Sequence, residues 1–131
     1  MKVEQKLRVA VEKQTLFMVF QPLLCADGSV HGVEALVRWI DDELGFVPPD
    51  VFIPVAEKTG LMPRLGAFII ESSVQQIAHL HRIEMFKLGL SINISVRQFM
   101  HASFTEHLLA TLEKYQFPSD YLTLEITENL F

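Results

Sequence analysis

Two short runs of β-branched and aromatic residues lie in the first third of the chain. Leu16-Phe17-Met18-Val19-Phe20-Gln21 predicts a first strand, stopped by Pro22 and followed by the turn signal Asp27-Gly28. Gly32 to Trp39 predicts a second strand, closed by the polar loop from Asp41 and by Pro48-Pro49. Ahead of both, Val3, Leu7, Ala10 and Val11 recur at helical spacing among Glu and Lys, which predicts a leading helix over 3–14. With Asp50 as N-cap, the helical period then runs to about Ile83. Phe52, Val55 and Ala56 share one face, a break falls near Gly60 and Pro63, and a second helix follows from Leu65 through Ile77 to Leu80. Lys87 to Ser95 alternates apolar with polar or small residues and predicts a third strand. Phe104 to Tyr115 predicts a helix with Leu108, Leu109 and Leu112 inward, and Tyr121 to Glu128 a fourth strand. Strands separated by helical stretches give an α/β reading: a mostly parallel sheet with helices outside it.

Composition narrows the class. With 131 residues, 50% of them hydrophobic and 21% charged, the chain has the make-up of one globular domain. Its longest apolar stretches fall far short of the roughly 18 consecutive residues that a membrane span needs, and Met1 to Arg8 lacks the apolar centre of a secretory signal. No membrane span and a cytoplasmic chain are expected. The single cysteine, Cys25, excludes an intrachain disulfide and a thiolate metal cluster. A net charge of −5 argues against DNA binding by phosphate neutralisation, yet an acidic pocket becomes a phosphate site once it holds a divalent cation.

Side-chain parity supplies the candidate chemistry, because alternate strand residues face opposite sides. Val33, Ala35, Val37 and Trp39 oppose Glu34, Leu36 and Arg38; Leu90, Ile92 and Ile94 oppose Ser91, Asn93 and Ser95; Leu122, Leu124 and Ile126 oppose Thr123, Glu125 and Thr127. Gln21 stands at the end of the first strand. In a barrel of parallel strands the C-terminal ends converge on one mouth, where such folds build their sites. There the apolar sets face the helices, and Glu34, Asn93 and Glu125 meet as three oxygen donors suited to Mg²⁺ or Mn²⁺. Arg38, on the same face as Glu34, could clamp a phosphate. The plainer alternative is that each strand is simply half exposed to water.

Other residues read as structural. Glu128 lies off the parity of Glu125 and reads as a supporting residue, and Glu57 as a cap or a solvated side chain. His79 and His81 do not share a helix face and read as solvated, while His31, His101 and His107 are scattered. The Asp41-Asp42-Glu43 run reads as solvated, and Trp39 and the ten phenylalanines as core.

Glu34-Ala35-Leu36, followed by Val37-Arg38-Trp39, resembles the motif that names the EAL domain family. The resemblance continues in order along the chain. Val19-Phe20-Gln21-Pro22 is similar to the family's first strand, and Phe52 to Leu61 to its first helix. Ile92-Asn93-Ile94-Ser95 is similar to its asparagine strand, and Leu124-Glu125-Ile126-Thr127-Glu128 to its glutamate strand. Five ordered motifs are far more specific than one tripeptide. The resemblance implies a TIM-type barrel that hydrolyses cyclic di-GMP to linear pGpG with Mg²⁺ or Mn²⁺. It implies Glu34, Asn93 and Glu125 as metal ligands, Arg38 as a phosphate contact, and Gln21, Leu36 and Pro54 as lining of the dinucleotide pocket. Glu128 resembles a glutamate that steadies a neighbouring loop.

Family members continue with an Asp-Asp-Phe-Gly strand, a lysine near the attacking water, and later glutamate and glutamine positions, none of which this sequence contains. A complete barrel takes about 250 residues. The expectation is therefore a partial EAL domain over 1–131, with a leading helix over 1–15 and the first half of the barrel over 16–131. Open strand edges would pair with a second copy or another chain. Three readings of function stand: an inactive phosphodiesterase fragment, an enzyme completed by self-assembly, and a degenerate module that binds cyclic di-GMP or a protein partner.

Overall fold

A computed structural model describes residues 2–84 and 87–127. Helix α1 (Lys2–Lys13) leads into strand β1 (Phe17–Leu24), which turns back on β2 (Val30–Asp41); β3 (Gly45–Val47), α2 (Pro49–Lys58) and α3 (Met62–Glu84) follow. Then come β4 (Gly89–Ser95), the single-turn α4 (Val96–Phe99), α5 (Phe104–Lys114), a 3-10 turn at Ser119–Tyr121 and β5 (Leu122–Thr127). The sheet runs β1-β2-β4-β5, with β3 off this path on β2. As expected, β2, β4 and β5 are parallel.

The parity argument holds in the centre of the sheet. Val33, Ala35, Val37 and Trp39 of β2, and Leu90, Ile92 and Ile94 of β4, are buried beneath the helices. Trp39 meets Phe52 of α2 edge-on at 5.7 Å, and Leu65, Ile70, Val74 and Ile77 of α3 complete the layer. Each such large apolar side chain stabilises the fold by about 1.5–3 kcal/mol when fully buried. On β5 the outer face is only partly covered, and Ile126 is 44% exposed.

Several sequence expectations are corrected. Pro22 does not stop the first strand, which continues to Leu24 and pairs antiparallel with β2 through the Asp27-Gly28 turn. Proline is tolerated there because β1 is an edge strand, whose outer N–H groups need no ladder partner. Strand β3 and helix α4 were not anticipated; Ser95 caps α4 by accepting from the Gln98 N–H at 3.1 Å. The N-cap of α2 is Pro48, not Asp50, with Pro49 in the first turn, where its fixed φ suits a helix start. Asp50 lies in that first turn instead. Gly60 makes the break between α2 and α3 at φ 75°, a conformation that costs glycine no steric penalty. In α5 Phe104, Thr111 and Leu112 are buried and Leu108 packs partly buried against the core as expected, whereas Leu109 points to solvent. Nor are all the phenylalanines core: Phe17, Phe46 and Phe99 are exposed.

Candidate functional site

The site follows from register. In the β1–β2 hairpin Gln21 stands opposite Glu34, Val19 opposite Leu36 and Phe17 opposite Arg38. In the parallel ladders Glu34 pairs with Ser91 and Asn93 pairs with Glu125. Gln21, Glu34, Asn93 and Glu125 therefore cross four strands on one face, the face turned away from the helices. Because β1 is antiparallel, Gln21 comes from the middle of its strand and not from a C-terminal end at the mouth.

Within this row the Asn93 Nδ2 donates to Glu34 Oε2 at 3.1 Å, both side chains being half-buried. That bond turns the Asn93 Oδ1 into the atom left to meet a cation. Glu125 is exposed beside it. Two carboxylates and one amide oxygen are hard donors that fit part of a Mg²⁺ or Mn²⁺ shell, whose octahedral preference demands further oxygens. Among the described residues no group of three or more His, Cys, Asp or Glu side chains gathers to hold a metal ion. The donors are thus a portion of a shell, not a cage.

Arg38 is half-buried, and its Nη1 donates to the Val37 carbonyl at 2.8 Å, which fixes one edge of the guanidinium. Leu36 lies between Glu34 and Arg38 on the same face, half-buried. Pro54 sits inside α2 and borders an open groove of about 410 Å³ with Glu57, Ser95, Arg97 and Thr127. That groove lies at the C-terminal ends of β4 and β5, so Pro54 stands beside the strands that carry Asn93 and Glu125. Glu128 falls outside the described residues.

Three residues read as bland from the sequence take specific places. Glu57 is not a cap and is only half-buried: its Oε2 is enclosed without a hydrogen-bond partner, and Thr59 forms the C-cap. His81 is buried, stacked on Phe117 at 4.9 Å, with Nε2 2.8 Å from the Leu88 carbonyl. His79 is exposed as expected. Asp41 accepts from the Glu43 and Leu44 N–H groups at 2.9 Å and pairs with Lys6, so it builds the β2–β3 turn. Those turn hydrogen bonds, the one from Leu44 above all, hold its carboxyl below the usual range.

The sequence profile of the EAL domain family matches residues 4–131. The chain is 32% identical over 124 residues to the bifunctional diguanylate cyclase/cyclic di-GMP phosphodiesterase MucR of Pseudomonas aeruginosa, which covers 94% of this chain and 18% of that protein. It is 35% identical over 127 residues to the cyclic di-GMP phosphodiesterase PdeR of Escherichia coli, covering 97% and 19%. Among solved structures, a MucR phosphodiesterase in complex with cyclic di-GMP superposes with a TM-score of 0.91 at 31% identity, over 98% of this chain and 53% of that one. The chain thus spans about a fifth of these named relatives and about half of that solved structure.

Proposed function

Because the chain belongs to the EAL domain family, we propose that it carries the first half of a cyclic di-GMP phosphodiesterase site. In this reading Glu34, Asn93 and Glu125 hold Mg²⁺ or Mn²⁺, and Arg38 clamps a phosphate of cyclic di-GMP. Gln21, Leu36 and Pro54 line the dinucleotide pocket, and Glu128 steadies a neighbouring loop. A bound divalent cation would polarise the phosphodiester and lower the pKa of an attacking water. The observation that carries the reading is the alignment of Gln21, Glu34, Asn93 and Glu125 across four strands, with Asn93 bonded to Glu34.

The described donors make only part of a metal shell, so the chain alone binds the dinucleotide without turning it over. The setting proposed for this activity is the cytoplasm; no helix among the described residues is long and apolar enough to cross a membrane. Among the described residues no strand pairs with the outer edge of β1 or β5, which favours a second reading, in which the chain pairs with a second copy or another chain and acts as a binding module.

Incubating the purified chain with cyclic di-GMP and Mn²⁺, with binding followed by calorimetry and linear product by chromatography, separates these readings. Mn²⁺-dependent binding lost in Glu34→Ala, with no product, is expected. Product formed by the wild type and lost in Glu34→Ala would overturn the claim that the chain alone is inactive. Absence of any binding would leave the protein-interaction reading in its place.

A further inference from the structure

Phe17 is a large aromatic residue on the face that carries the site, not on the face that packs against the helices. Strand parity puts it there. Leu16 and Met18 are buried, so Phe17 between them turns to the opposite side, where it is 40% exposed. In the antiparallel hairpin it stands directly opposite Arg38, as Val19 stands opposite Leu36 and Gln21 opposite Glu34. Side chains paired in this way have Cβ atoms about 4.5–5.5 Å apart. Because β2 runs towards the mouth, the Phe17–Arg38 pair lies closer to it than the Gln21–Glu34 pair. The β1–β2 register alone sets this placement. We infer that Phe17 is a stacking platform for a base of the bound nucleotide, beside the guanidinium that takes its phosphate.

The face of the ring is free to act in this way. Among the described residues no aromatic ring and no cation packs on it. Arg38 is its neighbour but does not cap it: the Arg38 Nη1 donates to the Val37 carbonyl at 2.8 Å, which fixes the guanidinium. A guanidinium has five N–H donors, so the others are left for a phosphate. A base is tied to its phosphate through a single ribose, so a phosphate on Arg38 brings the base to the side chains around Arg38. Across the hairpin and two residues along the strand these are Phe17, Leu36 and Ile40, and of the three only Phe17 has a π face.

The surroundings of the ring suit a base. Val19, 38% exposed, and half-buried Leu36 extend an apolar wall from Phe17 down to the polar Gln21–Glu34 pair. Such walls, with few polar groups at their ends, are the usual lining of small-molecule sites. Stacking on an aromatic ring accepts every base, since each has a π face. Phe17 therefore contributes affinity for a nucleotide, and hydrogen bonds elsewhere must choose between bases.

The stacking role rests on the cyclic di-GMP reading of the site for the identity of its ligand, and a titration with two kinds of variant separates the two. The full chain is titrated with cyclic di-GMP in the presence of Mn²⁺ by calorimetry. Phe17→Ala should weaken binding by about fivefold to a hundredfold, the range that loss of one base–aromatic stack gives, whereas Phe17→Trp should retain it. The indole introduced by Phe17→Trp should also lose emission as the base stacks on it, while Trp39, 1% exposed in the core, leaves the wild-type emission unchanged. Phe17 lies outside the core, so both variants should keep the wild-type circular dichroism spectrum. Should Phe17→Ala misfold, the emission of Phe17→Trp still decides. Binding lost in Glu34→Ala but unchanged in Phe17→Ala would overturn the stacking platform and leave the metal reading standing. Unquenched emission from Phe17→Trp that binds the dinucleotide would do the same. Absence of binding by the wild type would overturn both.

Discussion

His81 joins three parts of the chain that are distant in sequence. Its ring stacks on Phe117, meets Tyr121 edge-on at 5.8 Å, and reaches the Leu88 carbonyl just before β4. Removing it loses a stack worth about 0.5–1.5 kcal/mol and a hydrogen bond worth about 1 kcal/mol. His81→Ala should therefore cost about 1.5–2.5 kcal/mol in urea unfolding, and His81→Phe about 1 kcal/mol. Equal losses for the two would sink the stacking account. Gly66 gives a second test, because a Cβ there would fall on the side-chain amide of buried Gln98. Alanine gains about 1 kcal/mol of helix propensity over glycine, so Gly66→Ala should destabilise alone yet stabilise in a Gln98→Ala background. A coupling of about 1–3 kcal/mol in the double-mutant cycle is expected; additive effects would show that Gln98 simply swings aside. These residues mark a limit of sequence reading. Helical spacing settles that His79 and His81 do not chelate one metal, but says nothing of what packs on His81 from Phe117. By contrast the shared face of Glu34, Asn93 and Glu125 was legible, since a strand's two-residue period fixes the face, whereas their register across the strands was not.

The elements that sequence periodicity missed are those set by neighbours. An apolar run ending at Pro22 looks finished, and only the edge position of β1 lets it continue to Leu24. Strand β3 is three residues long, too short for any period, and forms because Asp41 caps the turn from β2. Lys6 of α1 reaches Asp42 at 3.2 Å and Asp41 at 3.6 Å, and Lys2 reaches Glu43 at 3.1 Å, tying α1 to this hairpin. The Asp42 hydrogen bond raises the Lys6 ammonium above 10.5, and the turn hydrogen bonds lower Asp41 below 3.8. The depressed carboxyl contributes stability above its unfolded value and loses it as pH falls through the folded one. The raised ammonium contributes below its unfolded value and loses it as pH rises through the folded one. Melting temperature should thus be level between about pH 5 and 9 with respect to these groups. Below about pH 4 it should fall more steeply in the wild type than in Asp41→Asn. Parallel acid limbs in the two proteins would remove Asp41 from the account.

Across the whole molecule, burial is graded from the middle of the sheet outward. Ile92 and Ile94 of β4 are fully buried, with a strand on each side, while β5 has one strand neighbour and an outer face half open. This gradient is the reason the helix-facing apolar set was read correctly for β2 and β4 and only partly for β5: a strand's pattern states which face seeks cover, not whether cover is present. Local opening follows the same gradient, because amides with few buried neighbours exchange at low free-energy cost. Hydrogen exchange on a dilute sample should protect β2 and β4 most. In β1 and β5, where alternate amides point away from the sheet, those outward amides should exchange fastest. Equal protection of β1, β4 and β5 would overturn this gradient.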